Sequence, residues 1–184
     1  GKFLTQMSKR YFRLRIIDGV CFVGTSGGSS SSFSSCVVGD KIYVCSEHRI
    51  SIFSADDFSY LGYFGSDGTG DGQFVYPVSI CSDGAYLYVA DYQNYRIQKF
   101  TLSGTYVSQV GSQGSGNGQF NLPRSLFYYN EKLYIADHFN LRVQVHLASD
   151  LTYFDSFPVG GAPYFASIDE INQYLVVNLN TQIA

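Results

Sequence analysis

Apolar residues recur along the chain in short runs that are separated by segments rich in Gly, Ser and Asp. The clearest stretch contains four such runs, at about 78–81, 86–90, 95–100 and 106–110. Ser82-Asp83-Gly84 and Leu102-Ser103-Gly104 lie between runs and predict tight turns, because Gly adopts a positive φ readily. No capped apolar stripe with a helical period is present. The pattern therefore predicts an all-β chain of short strands.

The same pattern recurs 46 residues further along the chain. The segment 65–74, GSDGTGDGQF, is echoed by 111–120, GSQGSGNGQF. The offset also relates Pro77 to Pro123, Tyr88 to Tyr134, Asp91 to Asp137, Asn94 to Asn140, and Arg96 to Arg142. Four strands in a repeat of roughly 40–50 residues are typical of a β-propeller blade.

Weaker copies flank these two repeats. A degenerate copy precedes them, and in a partial copy that follows them Asn178 aligns with Asp137. We expect a single domain over 1–184, divided into a partial blade at 10–23, blades at 24–64, 65–110 and 111–159, and a partial blade at 160–184. About four blade-equivalents are thus present. They could close a small ring, form part of a six-bladed propeller, or be completed by another copy of the chain.

The repeated residues resemble the NHL repeat. The shared pattern is Gly-x-Gly-Gln-Phe, then Pro, then Leu-Tyr-Val-Ala-Asp, then Asn-x-Arg-Ile-Gln-Lys-Phe, and Asn140-Leu141 precedes Arg142 in the second clear copy. With the strands of a blade lettered a to d, the resemblance implies that the d–a and b–c loops share one face, at which propellers bind ligands. The d–a loops are then 66–76 and 112–122, and the b–c loops are 46–48, 92–95 and 138–141.

Candidate binding residues on that face are aromatic or polar. They are Tyr92, Gln93, Tyr95, Arg124, His138 and Phe139. Rigid rings beside amide and guanidinium groups can anchor a peptide or a nucleotide base. The alternative is that these rings pack only against neighbouring blades.

Two acid–base pairs recur with identical spacing, Asp91 with Arg96 and Asp137 with Arg142. An Asp that closes strand b and an Arg that opens strand c can bridge the b–c turn, bonding its amides and each other. Since catalytic sites rarely repeat in every blade, we interpret these pairs as structural.

Metal sites find little support in the sequence. Asp67 and Asp71 on a Gly-rich loop suggest calcium, but no bidentate Glu follows, which favours a turn-forming role. Zinc needs three or four converging ligands. His48 and His138 belong to non-adjacent units, although they could share a face of the chain, and His146 lies beyond the third strand of its unit. We expect no metal and no cofactor. No nucleophile elbow or phosphate loop is present, so no enzymatic activity is expected.

The charge balance limits the classes of partner that the sequence predicts. The formal net charge is −3 and the pI is about 5.5, which argues against nucleic-acid binding. The basic residues near the N-terminus are interpreted as a solvated strand edge; they are Lys2, Lys9, Arg10, Arg13 and Arg15. The four cysteines, Cys21, Cys36, Cys45 and Cys81, lack metal-ligand spacing and are expected in the core. No apolar run approaches transmembrane length, and the compartment stays unassigned.

These observations favour a non-catalytic protein-interaction or scaffolding module. It would bind protein partners through the loop face and could associate with itself through blade edges. Two alternatives are an RNA-binding NHL domain and a propeller lyase or hydrolase with a metal at the channel mouth.

Overall fold

The computed structural model describes residues 13–17, 20–24, 34–169 and 174–179. Within these ranges the regular secondary structure is strand, apart from two single-turn 3-10 helices at Tyr92–Asn94 and His138–Asn140. The strands, in chain order, are β1 (Arg13–Ile17), β2 (Val20–Gly24), β3 (Ser35–Val38), β4 (Lys41–Ser46), β5 (Arg49–Ser54), β6 (Tyr60–Phe64), β7 (Pro77–Ser82), β8 (Tyr86–Asp91), β9 (Arg96–Thr101), β10 (Tyr106–Val110), β11 (Pro123–Tyr129), β12 (Lys132–Asp137), β13 (Arg142–Leu147), β14 (Tyr153–Pro158), β15 (Pro163–Asp169) and β16 (Tyr174–Leu179).

The strands form separate antiparallel sheets with up-and-down order. Among the described strands three sheets are four-stranded, and they are named here unit 1 (β3–β6), unit 2 (β7–β10) and unit 3 (β11–β14). Two sheets are two-stranded, β1–β2 and β15–β16, the second of which is named the C-terminal unit. The predicted all-β class, with four-stranded units and about four blade-equivalents, is confirmed. In the described ranges no helix is long or apolar enough to cross a membrane.

Burial explains the different residue patterns of the strands in a unit. The second strand of unit 2, β8, is buried at five consecutive positions because neighbouring units cover both of its faces. The last strand, β10, alternates between half-buried and exposed residues, as expected for the outer edge of a blade. In the two clear repeats the middle strands therefore appear in the sequence as continuous apolar runs, and the outer strands appear as alternating patterns.

Successive units are joined through their first strands by a repeated serine contact. The Ser79 hydroxyl oxygen in unit 2 accepts a hydrogen bond from the Leu126 amide of unit 3 at 3.1 Å. The same contact joins the neighbouring pairs, Ser34 with the Ile80 amide at 3.2 Å and Ser125 with the Ala166 amide at 3.5 Å. Strand pairing places Phe165 at the equivalent position of the C-terminal unit, where it is 54% exposed.

Aromatic side chains fill the space between units. Phe74, from the loop before unit 2, is fully buried, with its ring centroid 5.5 Å from that of Phe100. Phe120 is the equivalent residue between units 2 and 3. The Tyr88 hydroxyl of unit 2 donates to the Ala148 carbonyl of unit 3 at 2.9 Å, and unit 1 repeats this bond from Tyr43 to Leu102 at 2.8 Å. The repeated Gln-Phe pair thus marks the packing between blades.

Three of the cysteines are free thiols packed against the cores, namely Cys36, Cys45 and Cys81. Burial raises the pKa of the Cys36 thiol to about 12, which keeps it protonated at neutral pH. The side chains of Cys21, of the N-terminal basic residues and of the Gly/Ser-rich segment 24–33 lie outside the residues whose side chains the structure describes.

The C-terminal unit corrects one detail of the repeat alignment. In unit 3, Pro123 pairs with Asp137, whereas in the C-terminal unit Pro163 pairs with Leu179. Leu179, and not Asn178, therefore occupies the carboxylate position. The apolar runs of β12 and β16 look alike when Asn178 is aligned with Asp137. The pairing of β16 with β15, however, sets a register that differs from this alignment by one residue.

Candidate binding face at the loop end of the units

The d–a and b–c loops meet at one end of the units, which is named here the loop face. In unit 2, the Tyr92 amide donates to the Tyr76 carbonyl and the Gln93 amide donates to the Val75 carbonyl, each at 3.2 Å. The turn that follows strand b therefore lies directly against the end of the d–a loop. This is the arrangement that the family resemblance implied.

The repeated Asp and Arg of unit 2 form a buried ion pair that holds the d–a loop. Arg96 Nε donates to Asp91 Oδ2 at 2.9 Å, and the Asp91 side chain is fully buried. The other Asp91 oxygen, Oδ1, accepts a hydrogen bond from the Val75 amide at 2.9 Å. Asn94 and Gln98 also donate to Asp91 Oδ2, at 2.8 and 3.4 Å. A single carboxylate thus connects two strands, a turn and the incoming loop.

The Arg96 guanidinium group is saturated by acceptors from the loop and from strand d. Its terminal nitrogens donate to the carbonyl oxygens of Thr69, Gly70 and Gln73 at 2.8–2.9 Å. One of them also donates to Gln109 Oε1 at 2.7 Å. The cluster of Asp91, Asn94, Arg96 and Gln98 with its loop contacts is named here the loop latch.

Unit 3 repeats the loop latch almost atom for atom. Arg142 Nε donates to Asp137 Oδ2 at 2.8 Å, and Asp137 Oδ1 accepts from the Asn121 amide at 2.7 Å. Arg142 also donates to the Gly116 and Gln119 carbonyls at 2.8 and 2.9 Å. Asn140 and Gln144 complete the set, donating to Asp137 Oδ2 at 2.9 and 3.1 Å.

These contacts correct the predicted partners of the acid–base pairs. The ion pairs are present, but the Asp carboxylates accept the backbone amides of Val75 and Asn121 in the d–a loops rather than backbone amides of the b–c turn. The guanidinium groups donate to carbonyls of the same loops. Burial raises the pKa of the Asp91 carboxyl, while the hydrogen bonds from Asn94, Arg96 and the Val75 amide oppose that shift. Breaking such a pair leaves an uncompensated buried charge, so the latch restrains the loop strongly.

The same geometry bears on the suggested calcium loop. The inward carbonyl oxygens of Gly68, Thr69 and Gly70, which resemble cation ligands, are already bonded to Asn94 and Arg96. The Asp67 side chain is 73% exposed and lies 3.4 Å from His48 Nδ1. The Arg96 guanidinium thus takes the position at the loop carbonyls that a bound cation would need.

Unit 1 has a different set of residues at its loop end. Ser46 stands at the position of Asp91, and its hydroxyl lies 3.2 Å from that of Ser51. Arg49, the equivalent of Arg96, is exposed and stacks over the Tyr63 ring at 4.9 Å.

A row of aromatic rings and one guanidinium group crosses the loop face from unit 2 to the C-terminal unit. Its members, in contact order, are Tyr76, Tyr92, Arg124, Tyr164, His138 and Phe139, and they are named here the aromatic row. The Tyr76 and Tyr92 centroids are 6.4 Å apart, and those of His138 and Phe139 are 4.7 Å apart. Because Tyr76, Tyr164 and Phe139 are 42%, 42% and 56% exposed, the row presents rings to solvent.

Arg124 lies at the centre of the aromatic row. Its guanidinium carbon is 3.5 Å from the Tyr164 ring centroid and 5.7 Å from that of Tyr92. The next link is His138, whose ring lies edge-on to Tyr164 at 5.5 Å. His138 is buried, and since Pro163 offers only a carbonyl oxygen at 3.0 Å, Nδ1 donates this hydrogen bond.

Four of the predicted binding residues meet in this row, namely Tyr92, Arg124, His138 and Phe139. Gln93 is exposed on the turn, and Tyr95 closes it with a left-handed backbone, so both lie on the loop face outside the row. Sequence reasoning missed Tyr76 and Tyr164. Both adjoin the first proline of a strand a, so an alignment on Pro77, Pro123 and Pro163 would have shown them beside Arg124.

The three histidines lie in separate settings. His48 contacts Asp67 and the Phe74 carbonyl, whereas His146 is fully buried and bonds the Leu151 carbonyl at 2.8 Å. No described residue offers a hydrogen-bond partner to His146 Nε2, and burial lowers the pKa of this imidazole. Among the described residues no group of three or more His, Cys, Asp or Glu side chains could hold a metal ion.

No protein-family model matches the sequence, and no curated protein matches it. Solved structures do resemble the chain. Hydrazine synthase of Kuenenia stuttgartiensis matches with a TM-score of 0.67 at 15% identity, over 92% of this chain and 47% of that one. A catalytically inactive virginiamycin B lyase from Staphylococcus aureus, solved with quinupristin, has a TM-score of 0.61 at 16% identity, over 94% of this chain and 64% of that one.

The WD40 repeats of RRP9 give a similar result, with a TM-score of 0.61 at 14% identity, over 85% of this chain and 53% of that one. The chain thus spans from about half to two thirds of the length of these three structures. At such identities the likeness shows the fold alone. The chain is a β-propeller structure, and the described four-stranded sheets are its blades.

Proposed function

We propose that this chain is a non-catalytic protein-interaction or scaffolding module that binds partners through the loop face, and that its units are NHL-type repeats. The observation that carries the proposal is the aromatic row. Exposed Tyr and Phe rings with a central Arg are the residue types that dominate binding energy in protein interfaces. The row is continuous over three units. Arg124 and Tyr164 lie on strands β11 and β15, and the other members lie on the loops and turns beside the latches of units 2 and 3. Positions on strands and beside the latches limit the ordering needed on binding.

The charges of the loop face favour a protein over RNA. Glu47, Asp67 and Asp71 are exposed on the described loops of units 1 and 2 at this face. Arg96 and Arg142 lie nearby, but their guanidinium groups are committed to loop carbonyls. Binding to nucleic acid usually needs several cations for phosphate contacts, and this face offers few.

Scaffolding through blade edges is the second part of the proposal. The outer strand of unit 1, β6, carries exposed Tyr60, Leu61 and Tyr63, which are 50%, 52% and 57% exposed. An edge strand with apolar side chains and free backbone groups can pair with another strand. Light scattering over a concentration series tests this part, since a mass that stays monomeric would contradict it.

The loop-face proposal is tested by selecting a phage-displayed random peptide library on the full chain and measuring the affinity of the enriched peptides. We expect the double variant Phe139→Ser with Tyr164→Ser to weaken binding at least about tenfold, because both rings are hot-spot types. The matched control is Phe154→Ser. Phe154 is also 56% exposed but lies on β14, the outer strand of unit 3, so binding should be unchanged.

Equal loss of binding in the control and the double variant would contradict a site on the loop face. Enrichment of no peptide at all would contradict peptide recognition itself. Selective binding of single-stranded RNA oligonucleotides by the unmodified chain would favour the nucleic-acid alternative instead.

A further inference from the structure

Arg124 differs from Arg96 and Arg142 in its hydrogen bonding, and from the exposed Arg49 in its partial burial. Arg96 and Arg142 are held by buried carboxylates and loop carbonyls, and Arg49 stacks on one ring at the edge of unit 1. Arg124 has no carboxylate or carbonyl partner within the described part of the chain; its contacts there are the two tyrosine rings. Among the described residues, its N–H donors therefore have no acceptor, although the group lies half-buried on the loop face.

The fold does not require an arginine at this position. Strand pairing puts Val78 of unit 2 and Tyr164 of the C-terminal unit at the equivalent places, one residue after the first proline of strand a. Neither of those residues is charged, and each supports the same strand geometry. The guanidinium group is thus a local addition to the repeat.

We propose that Arg124 anchors a carboxylate group of the bound protein, and this inference rests on the proposed function of the loop face. A guanidinium group presents its donors in one plane, which matches the two oxygens of a carboxylate. The Tyr164 ring centroid lies 3.5 Å from the guanidinium carbon and covers the group from one side, and the Tyr92 ring centroid lies 5.7 Å from the same carbon. The planar edge stays available to a ligand while the rings reduce its hydration.

The ligand carboxylate can come from an Asp or Glu side chain or from a chain terminus. Both present the same two oxygens, so the geometry of Arg124 fits either source. A phosphate would also match the donors, but a polyanion would meet the exposed acidic residues Asp67 and Asp71 on the adjoining loop. A single carboxylate flanked by apolar or aromatic residues suits the centre of the row better.

The test uses the enriched peptides from the library selection on the full chain. Each is synthesised with its Asp or Glu residues, with Asn or Gln in their place, and with either a free or an amidated C-terminus. We expect one of these carboxylates to be required, with at least about a tenfold loss of affinity when it is neutralised, since hydrogen bonds between charged groups contribute that much.

Substitutions at Arg124 then assign the partner of that carboxylate. Arg124→Gln and Arg124→Val should each lower the affinity for the acidic peptide at least about tenfold, and the neutralised peptide should bind the variants and the unmodified chain alike. Arg124→Val copies unit 2 and should preserve the fold, which thermal unfolding checks. Arg124→Lys keeps the charge but loses the planar donors, so it should recover only part of the affinity.

The outcomes separate this inference from the proposed function. If Phe139→Ser with Tyr164→Ser abolishes binding while Arg124→Gln or neutralisation of the peptide does not, the loop face binds proteins but Arg124 is not a carboxylate anchor. If neither the double variant nor the changes at Arg124 and in the peptide alter the affinity, the proposed function is contradicted as well. A single-stranded RNA oligonucleotide whose binding is lost in Arg124→Gln would replace the carboxylate by a phosphate and overturn the inference.

Discussion

Units 1 and 2 share a fold but differ at the loop end. Unit 2 has Asp91 and Arg96 in a buried pair that bonds five loop and turn groups, whereas unit 1 has Ser46 at the Asp position and an exposed Arg49. Four-stranded pairing is nevertheless complete in both. The blade therefore does not depend on the latch, and the latch serves the loop.

The comparison also separates residues that repeat from residues that do not. The repeated residues of units 2 and 3 are used within the molecule, by the latch, by the buried Phe74 and Phe120, and by the contacts between first strands. The residues of the aromatic row do not repeat, since Tyr92 is replaced by His138, and Arg124 by Val78 or Tyr164, at equivalent positions. Function on this scaffold is thus expected where the repeat breaks.

The largest effect should come from giving unit 2 the serine of unit 1. We expect Asp91→Ser to lower the free energy of unfolding by about 3–5 kcal/mol, because Arg96 would remain buried without its carboxylate. Urea unfolding monitored by circular dichroism measures the loss. Hydrogen exchange should show faster exchange of the amides in the 65–76 loop.

Two controls sharpen that comparison. Ser46→Ala in unit 1 removes only the contact with Ser51 and should cost about 1 kcal/mol or less. Asp91→Ser combined with Arg96→Met removes both charges and should recover part of the loss, because no unpaired charge stays buried. If Asp91→Ser alone lowers the free energy of unfolding by less than about 1 kcal/mol, the loop latch is dispensable for stability.

A smaller loss is expected at the glycine that rests on the latch of unit 2. Gly111 has a φ of 126°, and a Cβ there would lie 2.4 Å from the Tyr95 carbonyl oxygen. Gly111→Ala should therefore cost about 2–3 kcal/mol through backbone strain and displacement of the b–c turn. Gly84→Ala is the control, because its φ of 91° is also positive but its Cβ would meet nothing within 4 Å. Equal melting temperatures for the two variants would rule out the close contact.

The serine contacts between units should give a third, weaker effect. Ser79→Ala leaves the buried Leu126 amide without its acceptor and should cost about 1–2 kcal/mol. Ser125→Ala should cost less, because the bond to the Ala166 amide is longer, at 3.5 Å. Urea denaturation of the two variants side by side measures the difference, and the reverse order would contradict it.

Much of the fold was predictable because it follows from local patterns. The strands of unit 2 agree with the predicted runs to within a residue or two, as do the Gly-containing turns. The register of the C-terminal unit was wrong by one residue, because Asn178 resembles Asp137 in type while the pairing partner that decides the register lies elsewhere in the chain. Two apolar runs can be aligned almost equally well with a shift of one residue, so their similarity does not determine the strand register.

The candidate site was predictable only in part. Tyr92, Arg124, His138 and Phe139 could be placed on one face by loop position, but their contact order depends on how three units pack. Likewise the partners of Arg96 are carbonyls 23 to 27 residues earlier, which only the folded loop brings near. Every residue has a backbone carbonyl group, so such acceptors carry no sequence signal. The residue types therefore could not show that the arginines of the latches bond the d–a loops.

The smallest expected effect concerns the core of unit 3, where strand equivalence puts His146 at the position that Phe100 occupies in unit 2. Burial lowers the pKa of His146 below its ordinary value of 6.5, so below that pH the unfolded chain binds a proton that the folded chain resists. Stability should then fall as the pH drops below about 6.5, with a slope of at most about 1.4 kcal/mol per pH unit. His146→Phe copies unit 2 and should flatten this dependence while leaving the trend below pH 4, which carboxylates control. Thermal unfolding measured between pH 7 and 5 tests this prediction. If the stability of the variant and that of the unmodified chain change with pH in parallel, His146 titrates as freely in the fold as in water.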